Sequence, residues 1–222
     1  MTTAAKDLLH EVVDVLQDAT SVTWKMAELV RILNGVQVQI LELRPDALAT
    51  NAALALAAGT KQALPAAAAK LIKVVKNTAS KKPVTLCQDP DILDVCSPGW
   101  HAMTGVVDIV HYMYDERDAM TLYVYPPAAG SGSPSLDIVY AAYPTAIAVP
   151  ADNTTWNDVV GNVSVRDIFV NALREGVLWR AYAKQTDVAP NAARALAHQQ
   201  NFASMLGVEI KATLAVSPRA AA

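Results

Sequence analysis

The chain has 222 residues, 53% of them hydrophobic and 18% charged, enough to bury a core without metal or disulfide and too few charges for a disordered tail protein. Its mean hydropathy of +0.22 is raised by alanine at 40 positions, and Lys, Asp, Arg and Gln interrupt every apolar run short of the ~18–20 residues of a membrane span. A net charge of −3 argues against a surface that grips nucleic acid throughout. With no basic-then-apolar leader in Met1–His10, the expectation is a soluble intracellular protein without membrane contact.

The first third reads as helical. Leu8, Leu9, Val12, Val13, Val15 and Leu16 recur at three- and four-residue spacing and predict a helix over about 4–18. Thr23 is the expected N-cap of a second helix over about 24–44, which Arg44-Pro45-Asp46 ends. Its apolar stripe is wide enough to demand burial on two sides, inside the fold or against a neighbouring copy. The stretch from about 54 to 143 changes to a β-rich insertion. Leu54–Ala57 and Lys61–Leu64 flank Gly59-Thr60 as a small hairpin, and Pro65 opens an alanine run suited to a short helix.

Leu71–Val75 fits either a lysine-faced helix or a strand, with Val84–Leu86 as its returning partner in a β-hairpin. Asp89-Pro90-Asp91 reads as a helix start with proline at the first position. Val106–Tyr114, Thr121–Tyr125 and Leu136–Tyr140 carry the clearest β signal, the second stopped by Pro126-Pro127 and the third an antiparallel addition after a Gly/Ser loop. Helices return over about 165–186, where Gly176 admits a neighbouring backbone, and 190–206, closed by Gly207. The fold class is therefore α+β: N- and C-terminal helices forming a bundle, with an antiparallel β insertion between them.

No spacing of chemical groups points to catalysis. Cys87 and Cys96 match no zinc motif, and the chain lacks HExxH, GxSxG, P-loop and GxGxxG sequences. Cys96, His101 and Asp108 would be the members of a Cys–His hydrolase, yet none sits at an elbow or helix N-terminus that activates a thiol. Asp115 and Glu116, within the run from Tyr114 through Arg117 to Asp118, read as a solvated hairpin tip rather than a metal pair. Lys70, Lys73, Lys76, Lys81 and Lys82 form the basic cluster, without the interleaved aromatics of a single-strand binder.

Several segments, in order from about residue 5 to 207, are similar to phage head-to-tail adaptor (connector) proteins of short-tailed phages, also called tail tubular or gatekeeper-ring proteins. They include Trp24, Asn34-Gly35, Leu43-Arg44-Pro45-Asp46, Gly59-Thr60-Lys61-Gln62-Ala63-Leu64-Pro65 and Val74-Val75-Lys76-Asn77. Further on come Pro98-Gly99-Trp100-His101, His111–Asp118, Tyr123-Val124-Tyr125-Pro126-Pro127, Tyr140–Pro144 and Trp179–Lys184. The resemblance implies a non-enzymatic virion subunit with no cofactor, assembled in the host cytoplasm into a homo-oligomeric ring, expected to be a dodecamer. The ring would join the portal to the tail nozzle or tube and line the channel through which DNA passes without sequence-specific binding.

It further implies one adaptor domain over 1–207 and an extended arm over 208–222 that docks on the portal, with Val208, Ile210, Leu214, Val216, Pro218 and Arg219 as docking residues. Tyr114, Asp115, Glu116, Arg117 and Asp118 are expected to touch a neighbouring copy or the tail. The alternatives are another neck or tail-completion protein and a small Cys/His hydrolase.

Overall fold

A computed structural model describes residues 3–151, 154–185 and 189–208 of the chain. It is mixed α+β, with five α-helices and two sheets among the described residues, and the strands occupy the middle of the sequence. Two compact units divide it: residues 1–39 with 146–222, and residues 40–145.

The first unit is helical. Helix α1 (Ala5–Leu16) buries Leu8, Leu9, Val12, Val13 and Leu16, the stripe its spacing predicts. Gln17 turns left-handed (φ 55°) and closes it. The Asp18 carboxylate then accepts from the backbone N–H groups of Val22, Thr23 and Trp24, each at 2.9 Å. Thr23 is therefore held by a cap and is not one. Helix α2 (Met26–Leu43) starts two residues later than expected, with Lys25 C=O accepting from Glu28 and Leu29. Its wide stripe is buried largely within the chain: Met26, Leu29, Val30, Leu33, Val36 and Ile40 are fully enclosed.

Helix α4 (Val170–Ala183) begins after a 3-10 turn at Asp167–Phe169, five residues later than its periodicity predicts. Before it the chain is not helical: Arg166 is extended (φ −63°, ψ 146°), Val163 N–H bonds Thr3 C=O at 3.1 Å and Ser164 N–H bonds Gln37 Oε1 at 2.7 Å. Around Gly176 the close neighbours are the Val36 and Phe202 side chains, not a backbone. Helix α5 (Ala189–Leu206) ends as predicted at Gly207 (φ 67°), where Gly207 and Val208 N–H bond Ser204 and Ala203 C=O. Thr186, Val188 and arm residues 209–222 lie outside the described residues.

The second unit holds two sheets, ordered β1-β7-β3 and β2-β6-β5-β4. Their strands are β1 (Ala49–Ala55), β2 (Gly59–Ala63), β3 (Ala68–Asn77), β4 (Thr85–Leu86), β5 (His111–Tyr114), β6 (Thr121–Ala128) and β7 (Ser135–Ala142). A short helix α3 (Pro90–Cys96) is capped by Asp89, with Pro90 in its first turn as the sequence indicates. The expected hairpin at Gly59-Thr60 does not form: β1 pairs with β7, and β2 with β6. The buried Gln62 side chain holds this crossover, accepting from Ala57 N–H and donating to Ala57 and Gly59 C=O.

The alanine run after Pro65 enters β3 rather than a helix, since Ala68 is fully buried and pairs with Ala142. Leu71–Val75 is strand, and its partner is β7. The chain returns beside β3 only briefly, through a Lys76–Pro83 bridge and a bond from Val84 N–H to Val75 C=O at 3.4 Å, and β4 then runs parallel to β5. Strand β5 is shorter than the Val106–Tyr114 signal. Strand β6 continues through Pro126-Pro127, because Pro127 is used there as an acceptor, from Val106 N–H at 2.8 Å. The third antiparallel strand, β7, becomes the centre of the other sheet. Leu54, Leu64, Leu71, Val74, Ile109, Leu122, Val124, Leu136 and Ile138 make up this unit's core.

Candidate functional site

A concavity of about 650 Å³ opens on the second unit, and the polar turn singled out in the sequence forms part of its wall. Strand β5 delivers that turn. Its last residue, Tyr114, donates through its hydroxyl to Ala119 C=O and accepts from Leu71 N–H, both at 3.1 Å, which ties the turn's two ends to β3. Asp115 caps a 3-10 turn, Glu116–Asp118, accepting from Arg117 N–H at 2.9 Å.

The same carboxylate pairs with the Arg117 guanidinium at 2.7–3.1 Å. That hydrogen-bonded cation holds the Asp115 carboxyl below the usual carboxylate range and raises Arg117 in turn. Glu116 reaches Lys70 at 2.8 Å. Asp115 and Glu116 are thus each committed to a cation, a pattern that fits a shaped, charged surface turn and no acid–base pair.

Residues remote in sequence supply the floor. Gly99 in left-handed conformation (φ 81°) starts a 3-10 turn carrying Trp100 and His101. Their rings stack at 3.7 Å, and Tyr123 of β6 meets His101 edge-on at 6.0 Å. Trp100 Nε1 donates to Asp94 Oδ1 of α3 at 2.8 Å, and His101 Nδ1 shares a 2.8 Å hydrogen bond with Thr60 Oγ1. The wall therefore combines an aromatic floor with a rim of Asp94, Asp115, Glu116, Arg117 and Asp118.

Two of the three supposed hydrolase members, His101 and Asp108, are engaged with other partners. His101 is held by Thr60, and Asp108 by Lys82 at 2.7 Å, whose hydrogen bond lowers the Asp108 carboxyl, while Cys96 is exposed at the end of α3. Among the described residues no group of three His, Cys, Asp or Glu is placed to hold a metal ion. Four of the five lysines of the basic cluster are also engaged: Lys70 with Glu116, Lys76 with Asp137, Lys82 with Asp108, and Lys81 with Thr78 C=O. Among the described residues no helix is long and apolar enough to cross a membrane.

Of the predicted docking residues, Val208 alone is described, its N–H bonded to Ala203 C=O, and Ile210, Leu214, Val216, Pro218 and Arg219 lie outside the described residues. Asp94, Met113 and Tyr123 of the concavity were not singled out from the sequence as site residues, because only folding brings α3, β5 and β6 around Trp100.

Comparison with known families identifies the kind of protein this is. The family model of the SU10 adaptor protein matches residues 3–221, nearly the whole chain, and the chain belongs to that family of phage adaptors. It is accordingly a structural phage protein of the head-to-tail adaptor kind. No curated protein sequence matches the chain.

Proposed function

We propose that the protein is the repeating subunit of a ring that joins the phage portal to the tail and lines the DNA channel. The observation that carries this reading is the family match over residues 3–221. Residues 1–207 act as one adaptor body, and the arm from 208 to 222 provides the link to the portal. The charged turn Tyr114–Asp118 faces a neighbouring copy or the tail, where the rim of the concavity and its aromatic floor receive a protruding segment.

Two features favour the ring. Exposed apolar side chains such as Val22, Ile92, Val95, Val160 and Ile168 suit burial between subunits. Three lysines of the basic cluster, Lys70, Lys76 and Lys82, are paired with acids, which reduces the positive surface able to retain passing DNA. The subunit enters the virion at the neck after assembly in the host cytoplasm.

Native mass spectrometry of the full chain, alone and mixed with the portal of the same genome, tests the proposal. A closed ring, or a fixed-stoichiometry complex formed with the portal, is expected. A monomer indifferent to the portal would refute it and shift the protein to another neck or tail-completion position.

A further inference from the structure

The sheet β1-β7-β3 has two edges, and they differ in kind. Strand β3 carries Lys70, Lys73 and Lys76 and three register irregularities against β7, the charges and bulges by which edge strands turn away further strands. Strand β1 has neither. Its seven residues, Ala-Thr-Asn-Ala-Ala-Leu-Ala, include no charge and no proline, and they pair one-to-one with β7 from Ala49–Ala141 to Ala55–Ser135.

One bond sets which backbone groups of β1 are open. Leu56 N–H donates to Pro134 C=O at 2.9 Å, so Leu56 and Pro134 are a hydrogen-bonded pair. By antiparallel alternation Leu54, Ala52 and Thr50 turn their N–H and C=O towards β7, and Asn51, Ala53 and Ala55 turn theirs outwards. The far side of β7 keeps the same phase, with Ser135 C=O accepting from Thr78 N–H. Asn51, Ala53 and Ala55 are all exposed, and no described strand lies beyond β1. An unguarded edge of this kind accepts a further strand.

The chain itself contains a segment with a matching sequence pattern. Val208-Glu209-Ile210-Lys211-Ala212-Thr213-Leu214-Ala215-Val216 places an apolar residue at every second position, the period-two pattern of a half-buried strand. Beside β1, its apolar set would extend the face of Ala52 and buried Leu54, and Glu209, Lys211 and Thr213 the solvent face of Asn51 and Ala53. Pro218, two residues on, stops such a strand. Symmetry selects the acceptor: β1 against β1 is isologous and ends at two copies, whereas a donated strand on a different surface is head-to-tail, the kind of contact a ring requires.

We infer that in the assembled ring the Val208–Val216 segment of one copy pairs with the open edge of β1 in the next. This rests on the adaptor-ring reading and narrows it: of the arm, only the residues after Val216, Pro218 and Arg219 among them, then remain to reach the portal.

Residue-resolved hydrogen exchange on the full chain, alone and in complex with the portal, tests it. The amides of Asn51, Ala53 and Ala55 exchange freely in the lone copy and slow more than about tenfold in the ring, as amides newly held in a sheet do. The full chain with Ile210→Pro and Leu214→Pro loses that slowing. Ala53→Pro removes an outward N–H, which an edge strand tolerates, so it keeps the native unfolding midpoint and fails to form rings. Absence of any ring or portal complex from the unaltered protein refutes the adaptor reading itself. The inference alone is overturned by fast amides within a formed ring, by slow amides in a lone copy, by protection that survives the two prolines, or by a folded Ala53→Pro protein that still assembles.

Discussion

Gly176 of α4 and Gly35 of α2 both lie inside helices, so alanine at either position gains about 1 kcal/mol of helix propensity. Their surroundings separate them. A Cβ on Gly176 would stand 2.5 Å from Val36 Cγ1 and 3.0 Å from two Phe202 ring carbons. Val36 is fully buried and Phe202 is 3% exposed, so neither can move without displacing other core atoms. Overpacking of this kind costs roughly 1–3 kcal/mol, here towards the upper end because two neighbours are struck, and the net loss is about 1–2 kcal/mol. A Cβ on Gly35 would meet the Arg180 guanidinium at 2.9 Å and nothing else within 4 Å. Arg180 is long and can swing aside, giving up its 2.8 Å bond to Gln39, worth about 1 kcal/mol. Gain and loss then cancel to within about 0.5 kcal/mol. Urea unfolding followed by tryptophan fluorescence reads both variants. The Gly35→Ala midpoint should match the unaltered protein and the Gly176→Ala midpoint should fall. Equal midpoints for the two variants, or a stabilised Gly176→Ala, would show that the α2–α4–α5 contact is not as tight as described.

Asn34 bridges the backbone of buried Ile147, donating to its C=O and accepting from its N–H, both at 2.9 Å; Asn34→Ala strands both groups and should cost about 2–3 kcal/mol by denaturant titration. At Asp18, burial opposes ionisation, but the N–H groups of Trp24, Val22 and Thr23 together with nearby Lys25 outweigh it and hold the carboxyl below its ordinary value. A carboxyl depressed in the folded state contributes its stability above the unfolded pKa, about 3.9, and loses it as pH falls through the lower folded value. Asp18→Ala should therefore cost about 1–2 kcal/mol at neutral pH, and thermal melts across pH should show the gap to the unaltered protein closing in acid. Arg117→Ala removes an exposed partner of Asp115 and should leave the melting temperature unchanged while weakening ring or tail assembly in sedimentation; unimpaired assembly would remove the turn from the interface.

The helices were legible because their signals are local. The three- and four-residue spacing in Leu8–Leu16 and the glycine at position 207 each specify backbone geometry from neighbours within one or two turns. Their starts were less legible, since the bonds around them come from elsewhere: Asp18 reaches forward to Val22–Trp24, and Thr3 and Gln37 hold Val163 and Ser164 in the non-helical stretch before α4. The β content, too, followed from runs of Val, Ile and Tyr, and proline could be placed in the first turn of α3.

Strand partnership was legible at the hairpin tipped by Asp115–Asp118, where β5 and β6 pair antiparallel, and not elsewhere. Adjacent runs such as Leu54–Ala57 and Lys61–Leu64 look like a hairpin, yet the buried Gln62 side chain turns the chain from one sheet into the other. The concavity has the same character: the turn Tyr114–Asp118 could be marked by its charge, but Asp94, Trp100 and Tyr123 come to it from three other places in the chain. Periodicity, composition and the ordered family segments thus determined the α+β class and the adaptor family from the sequence alone. Tertiary structure decided which of the other strands pair, which edge stays open and which side chains share a cavity, because these depend on contacts between residues tens of positions apart that no local pattern encodes.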